Sequence, residues 1–209
     1  MKLYDCKPAP SPRRARMFAI EKGIELETVE VDLGNREQLG EQYAAINPRC
    51  TVPALQLDDG TIIAENIAIA DYLESVKPEP PLMGHDPVER ARILDFNARI
   101  ETEGLMALAE VLRNSSPGMK DRAITGPQNY AQIPELAERG RARFQYFFPM
   151  LEAQLGEQAF LFGDKLSLAD ITAFVTTEFA RWVKEYIPEN FTATLAWYER
   201  MKERPSAHA

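Results

Sequence analysis

The sequence predicts an α/β unit followed by an all-helical one, joined by a proline-rich seam. Three observations carry that assignment. Short strand-like and helix-like runs alternate through residues 1–77. Pro78, Pro80, Pro81, Gly84 and Pro87 then crowd a single stretch, Lys77–Pro87, that no regular element tolerates. Beyond it, apolar residues recur at helical spacing to the end of the chain. The domains expected are therefore 1–77, a linker 78–87, and 88–209.

The elements follow in order. Lys2–Asp5 and Leu26–Asp32 read as strands, the second placing Leu26, Val29 and Val31 among acids. Between them Arg13–Lys22 carries Met17, Phe18, Ala19 and Ile20, and Gly23 is a natural helix stop. Arg36–Ile46 reads as a helix. Ala54–Leu57 and Thr61–Ala64 flank Asp58-Asp59-Gly60, a good hairpin turn. Ile67, Ala70, Leu73 and Val76 then form one helical face. Further helical segments are expected near 88–113, 134–155, 167–186 and 192–203.

Composition narrows the function. With 24 basic and 32 acidic residues the net charge is −8, which argues against a nucleic-acid binder but leaves room for a local anion pocket. Cys6 and Cys50 cannot build a disulfide framework, and with only His85 and His208 no metal site is expected. The opening residues lack a signal peptide's apolar run, and no stretch approaches the ~18 apolar residues of a membrane span. A reduced, cytoplasmic protein is expected, with no membrane or nucleic-acid partner.

Four motifs carry the functional reading. In Ala9-Pro10-Ser11-Pro12-Arg13-Arg14, Ser11 is placed to cap a helix with Pro12 at its first position. Two arginines there oppose the helix dipole by roughly 0.3–1 kcal/mol each unless an anion joins them. Such a site suits an anionic sulfur or carboxylate, although the arginines could equally bend into solvent. Thr51-Val52-Pro53 precedes a strand, and a cis bond there would offer the Val52 backbone to an extended peptide-like ligand. The alternative is a plain strand-initiating proline. Glu65-Asn66 places a cation acceptor beside a helix start, with Asn66 as the expected cap; together they complement an α-amino acid head group. Ser167-Leu168-Ala169-Asp170 reads as a capping box, with Leu166 and Ile171 as its hydrophobic staple, and is structural. The Pro/Gly-containing stretch 116–132 is either a flap, with Tyr130 as an apolar wall, or a surface loop.

Taken together, these pieces resemble the cytosolic glutathione S-transferase family over nearly the whole chain. The resemblance rests on Thr51-Val52-Pro53, Glu65-Asn66 before Ala68-Ile69, and Ser167–Asp170 after Gly163-Asp164. It implies a thioredoxin-like N-terminal domain, an all-helical C-terminal domain and a homodimer. Reduced glutathione would lie along the sheet edge, its γ-glutamyl head on Glu65 and Asn66 and its cysteinyl backbone on Val52. Arg49, Arg13 or Arg14 would meet the glycine carboxylate. A small hydrophobic electrophile would sit near Leu105, Met106, Leu108 and Tyr130, and no cofactor beyond glutathione is implied. Two departures stand out: Asn66 replaces the usual serine, and the usual catalytic serine or cysteine position falls near Ala9 or Pro10. This looks like a bacterial and fungal subgroup without the orthodox Tyr, Ser or Cys, in which polar residues at the end of a long helix act through water; the resemblance implies Ser115, within the matching stretch Arg113-Asn114-Ser115-Ser116-Pro117, as a catalytic candidate beside Ser11.

Lowering a thiol pKa of ~8.5 by about two units requires roughly 2.7 kcal/mol of thiolate stabilisation. One hydroxyl, helix amides and a nearby arginine are the expected donors. Two other functions remain open: glutathione-dependent reduction of peroxides or disulfides, and non-catalytic glutathione or ligand binding on the same fold.

Overall fold

Four strands build one mixed sheet in the order β2-β1-β3-β4. β1 (Lys2–Asp5) lies parallel to β2 (Glu27–Glu30), and antiparallel to β3 (Ala54–Gln56), which pairs with β4 (Ile62–Ile63). The computed structural model describes residues 1–208 and divides into two units, Met1–Pro80 with Ile124–Gln128, and Pro81–Ala123 with Asn129–His208.

Side chains alternate across the sheet, so each face has its own core. Leu3 and Leu55 oppose each other in register and are fully buried on one face. Tyr4 and Ala54 occupy the other, where Val31 and Tyr43 complete a cluster. β2 is one of the two edge strands and exposes Glu27, Thr28 and Glu30, a largely charged rim that discourages pairing with another chain.

Helix α1 (Pro10–Glu21) packs on α3 (Asn66–Val76). Gly23, at φ 61°, ends the first of these as the sequence predicts. Lys22, wholly buried, reaches the Glu74 carboxylate at 2.8 Å and the carbonyls of Pro78 and Pro80. That buried, fully hydrogen-bonded pair ties both helices to the start of the seam. The expected helix over 36–46 is broken instead. Arg36 at φ 60° opens a single 3₁₀ turn (Glu37–Leu39), Gly40 is extended, and α2 covers only Glu41–Ala44. Runs this short are not stable helices in isolation and follow local turn preferences. Asp58-Asp59-Gly60 makes the expected hairpin, with Gly60 at φ 88°.

The second unit is helical. Asp86 caps α4 (Pro87–Arg99) by accepting the amides of Val88 and Glu89, and Glu89 accepts the His85 amide at 2.7 Å. A π-helical turn, Ile100–Leu105, carries α4 into α5 (Met106–Ser115). Gly104 sits in that turn because any Cβ would come within 2.6 Å of the Phe147 ring. The segment expected near 134–155 is two helices, α6 (Pro134–Phe144) and α7 (Phe147–Leu155). Gly140 lets α6 approach α5, since a Cβ there would meet the Ala107 carbonyl at 2.6 Å. α8 (Leu168–Ala180) is buried along almost its whole length, and α9 (Thr192–Lys202) follows.

The capping box over Ser167–Asp170 is present. Asp170, fully buried, accepts from the Ser167 amide and hydroxyl, the Leu161 amide and the Trp197 indole at 2.6–2.9 Å. Among the described residues, no helix is long and apolar enough to cross a membrane.

Candidate functional site

The register fixes which chain ends meet. Tyr4 opposes Ala54, so the C-terminal end of β1 lies beside the start of β3. Leu55 opposes Ile63, so the end of β4 lies beside that same start. The entry to β3 (Thr51, Val52, Pro53), the start of α1 and the start of α3 therefore gather at one end of the sheet. The sequence motifs that were far apart in the chain are neighbours there.

The Val52–Pro53 bond is cis. Among the described residues, neither the Val52 amide nor its carbonyl has a hydrogen-bond partner. The Thr51 carbonyl, one residue earlier, is held by the Tyr43 hydroxyl at 2.6 Å and the Asn47 amide at 2.8 Å. Both donors are almost fully buried. Burial pushes the Tyr43 phenol up to about 12, against the hydrogen bond from Asn47 that pulls it down, so its hydroxyl remains a donor. Tyr43 and Asn47 were missed in the sequence. Their signal was the i, i+4 spacing of two hydrogen-bonding side chains just before the motif they hold.

The start of α1 differs from the expected one. Ala9 is the cap residue, Pro10 is the first helical position and Ser11 the second. Ser11 is therefore not the cap: the helix begins one proline earlier. Pro10 and Pro12 have no N–H, and the Ala9 amide bonds the Cys6 carbonyl. The first turn thus offers a single amide, that of Ser11, where several were expected. Neither that amide nor the Ser11 hydroxyl has a partner among the described residues. Arg14 is 7% exposed, which leaves Arg13 the more accessible of the pair. Behind them Arg16 pairs with the buried Asp5 at the end of β1 and donates to the Lys7 carbonyl, fixing the turn from which Ser11 emerges. Burial raises the Asp5 carboxyl more than Arg16 lowers it.

At α3 the cap residue is Glu65 and Asn66 is the first helical position, so Asn66 is not the cap either. The Asn66 amide oxygen is buried without a hydrogen-bond partner. The amides of Asn66, Ile67 and Ala68 precede the first intrahelical bond, from Ile69 to Glu65, and no described residue accepts from them. Arg49 forms an ion pair with Glu65 at 2.6 Å, both side chains more than half exposed. One of its guanidinium nitrogens is thereby engaged by Glu65.

In the helical unit the expected residues differ in exposure and in hydrogen bonding. Leu108 on α5 is fully buried and Leu105, at the end of the π-helical turn that leads into it, is 7% exposed, because positions three apart along continuous helix face the same side. Met106, 56% exposed, and Tyr130, 46% exposed, are the members of the expected apolar pocket that present surface. The Ser115 hydroxyl donates to the Val111 carbonyl at 2.7 Å, so that proton is committed to its own helix. The stretch 116–132 carries one 3₁₀ turn, Pro117–Met119, and is otherwise irregular backbone tied down by specific hydrogen bonds. Gln132 donates to the carbonyls of Arg113 and Ser116, each at 2.7 Å, Asn114 accepts the Ile133 amide, and Arg122 bridges to Tyr130.

Cys6 is 5% exposed, and burial pushes its thiol up, which is the opposite of what a thiol nucleophile requires. Among the described residues, no group of three or more His, Cys, Asp or Glu could hold a metal ion.

Comparisons with known proteins bear on the whole chain. A family model described as "Glutathione S-transferase, N-terminal domain" matches residues 9–76, and one described as "Glutathione S-transferase, C-terminal domain" matches residues 118–205. The chain is 34% identical to Glutathione S-transferase 2 of Saccharomyces cerevisiae, over 99% of its own length and 87% of the relative's. The crystal structure of Gtt2 from that yeast aligns with a TM-score of 0.90 at 33% identity, covering 100% of this chain and 99% of that one. A glutathione S-transferase domain-containing protein of Marinobacter aquaeolei VT8 gives a TM-score of 0.89 at 36% identity, with 99% of each chain covered. Maleylacetoacetate isomerase of Pseudomonas aeruginosa is 31% identical over 82% of this chain and 77% of its own.

Proposed function

The chain belongs to the glutathione S-transferase family and is a glutathione transferase, and on that premise we propose how its residues hold and activate glutathione. The γ-glutamyl carboxylate takes the amides of Asn66, Ile67 and Ala68 at the start of α3, where the helix dipole favours an anion. The ammonium takes Glu65 and the Asn66 oxygen. The cysteinyl backbone pairs in extended form with the amide and carbonyl of Val52, and Thr51 and Pro53 set the direction of that segment. The sulfur then lies at the start of α1.

Ser11 is the proposed activating residue. Its hydroxyl and amide donate to the thiolate, and Arg13 adds positive field. A thiol of ordinary pKa ~8.5 is a few per cent ionised at neutral pH, so stabilisation of roughly 2.7 kcal/mol makes the thiolate the main form. The released proton goes to solvent. The thiolate attacks an electrophilic carbon, a C–S bond forms, and the leaving group departs with its electron pair. Met106 and Tyr130 are the apolar surfaces proposed to receive a small hydrophobic electrophile. The working form proposed is a cytoplasmic homodimer, and glutathione is the co-substrate.

The observation that carries this reading is one of complementarity. Unpartnered donors at Ser11, Val52 and the start of α3 converge with an acid and a buried unpartnered oxygen at one end of one sheet. The burial of Cys6 favours thiolate activation over disulfide reduction by a protein thiol. The test is the rate of conjugation of glutathione with a dinitro-activated aryl chloride. Saturable turnover that falls in both Ser11→Ala and Glu65→Gln supports the assignment; turnover indifferent to both overturns it.

A further inference from the structure

The turn between β1 and α1 has few backbone donors with which to hold itself. Pro8, Pro10 and Pro12 alternate through it, so from Lys7 to Pro12 only Lys7, Ala9 and Ser11 carry an N–H. The Ala9 amide bonds the Cys6 carbonyl at 2.9 Å, and the Ser11 amide has no partner among the described residues. The Lys7 amide is taken by a side chain of the neighbouring strand: both oxygens of Glu30, at the end of β2, accept it, at 3.1 and 3.2 Å. From α1, Arg16 Nη2 donates to the Lys7 carbonyl at 2.9 Å. The backbone of Lys7 is thus gripped at its N–H and at its C=O.

Both grips are themselves anchored. Asp5 stands opposite Glu30 in the parallel register, and its carbonyl accepts the Val31 amide at 2.7 Å, which fixes the end of β2 against the end of β1. Arg16 pairs with the Asp5 carboxylate, and both of these side chains are almost fully buried. From Lys7 the constraint reaches Ser11 along a stiff path. Proline holds φ at about −65° at Pro8 and Pro10. Ala9 between them is extended, as a residue before proline prefers, at φ −76° and ψ 137°. Its carbonyl is held by the Arg13 amide at 3.3 Å. Glu30 also extends the β1–β2 pairing by one step, which is a structural role. Its charge, however, has the wrong sign for a turn that faces an anion. Burial chiefly, and the Glu30 charge in smaller part, push the Asp5 carboxyl and the Cys6 thiol up. What Glu30 supplies in return is the hold on Lys7.

We propose that Glu30 and Arg16, holding the Lys7 backbone from its two sides, are positioning residues that aim the Ser11 amide and hydroxyl at the glutathione sulfur. The inference rests on the reading of Ser11 as the activating residue and deepens it. Donors that stabilise a thiolate act only within a narrow range of distance and angle, so a turn that shifts by a fraction of an ångström loses thiolate while the γ-glutamyl and cysteinyl contacts stay in place.

The test reads thiolate absorption at saturating glutathione and neutral pH in Glu30→Ala and Glu30→Gln, beside kcat and KM for conjugation. Glu30→Ala removes the hold on the Lys7 amide; it is expected to lower the thiolate signal about threefold or more and kcat about tenfold, with KM for glutathione within about twofold. Glu30→Gln keeps an acceptor for that amide and is expected to restore both to within about twofold of wild type. Charge and position carry opposite signs here, because removing an acid by itself favours the thiolate. A thiolate signal that rises or stays unchanged in Glu30→Ala therefore overturns the inference, even where the urea midpoint falls. Arg16→Lys, which keeps a charge against Asp5 and loses the second branch of the fork, is expected to lose thiolate as well. Should that variant fold poorly, Glu30→Ala decides, since Glu30 is an exposed side chain. A wild type that binds glutathione without thiolate absorption overturns the Ser11 reading and the inference together; a wild-type signal that Glu30→Ala leaves intact overturns the inference alone.

Discussion

Arg49 and Glu65, sixteen residues apart in the chain, form an ion pair of 2.6 Å at the end of the sheet where β3 begins and α3 starts. Both side chains are more than half exposed, so the pair contributes little to stability, about 0.2–1 kcal/mol at most. Its proposed value is placement. A carboxylate has room for several donors, so Glu65 can keep Arg49 and accept an ammonium as well.

Glu65→Gln is therefore expected to weaken glutathione binding by about tenfold to a hundredfold, the worth of a charge-assisted hydrogen bond of roughly 1.5–3 kcal/mol. The same change should move the urea midpoint very little. Arg49→Gln should alter binding by much less. Calorimetry with glutathione, run beside urea melts, separates the two effects, and a Glu65 variant that binds normally would remove the residue from the site.

The Tyr43 hydroxyl and the Asn47 amide share the Thr51 carbonyl. Tyr43→Phe removes one donor and leaves the other, so a loss of about 0.5–1.5 kcal/mol is expected. Because Thr51 sets the direction of Val52, KM for glutathione should rise more than kcat falls. Asn47→Ala should cost more, since Asn47 also donates to the Thr51 hydroxyl and accepts the Arg49 amide. If both variants kept a wild-type KM, the buried pair would be holding the fold and not the ligand.

Asp170 collects four donors while fully buried. Burial raises its carboxyl, and the hydrogen bonds oppose that rise. Asp170→Ala would orphan the Trp197 indole and the Leu161 amide in the core, and a loss of about 3–5 kcal/mol is expected. Asp170→Asn, which keeps an acceptor but turns an NH₂ toward other donors, should lose less. Equilibrium urea unfolding followed by Trp197 fluorescence measures both, and a cost below about 1 kcal/mol for alanine would show that water replaces the carboxylate.

Glu152 on α7 accepts the Thr194 hydroxyl and amide and the Ala193 amide, capping α9 from outside the helix. Burial works to raise its carboxyl, but these three bonds together hold it below the usual 4.5. A carboxyl depressed in the folded state contributes stability above its unfolded pKa and loses it as pH falls through the folded one. The stability gap between wild type and Glu152→Gln should therefore be full at neutral pH and shrink as acid is added below about 4.5. A gap independent of pH would mean that shape, not charge, makes the cap.

The sequence made the elements legible where local signals were strong. Gly23 and Gly60 marked turns because only glycine takes their positive φ without cost, and Ser167–Asp170 announced the start of the buried helix. Helix starts were displaced by one or two positions at Ser11 and Asn66, because a proline at the first helical position and a cap without a side-chain hydrogen bond leave no sharp local mark. Positions 36–46 looked helical by pattern, but Gly40 and the left-handed Arg36 interrupt them. The site was legible as separate motifs and not as a geometry. Which donors are already engaged, such as the Ser115 hydroxyl, and which are not, such as that of Ser11, depends on neighbours one chain position does not reveal. Burial of Leu108 was a question of which face of α5 meets the core, and a single apolar run does not answer it.

The central claim is that Ser11, at the start of α1, stabilises glutathione as thiolate. Ultraviolet difference spectroscopy during a glutathione titration at neutral pH tests it most directly. The wild type should give a saturable thiolate absorption, Ser11→Ala should bind glutathione with that signal strongly reduced, and Ser115→Ala should leave it unchanged. Saturable binding with no thiolate absorption in the wild type, or an undiminished signal in Ser11→Ala, would contradict the account.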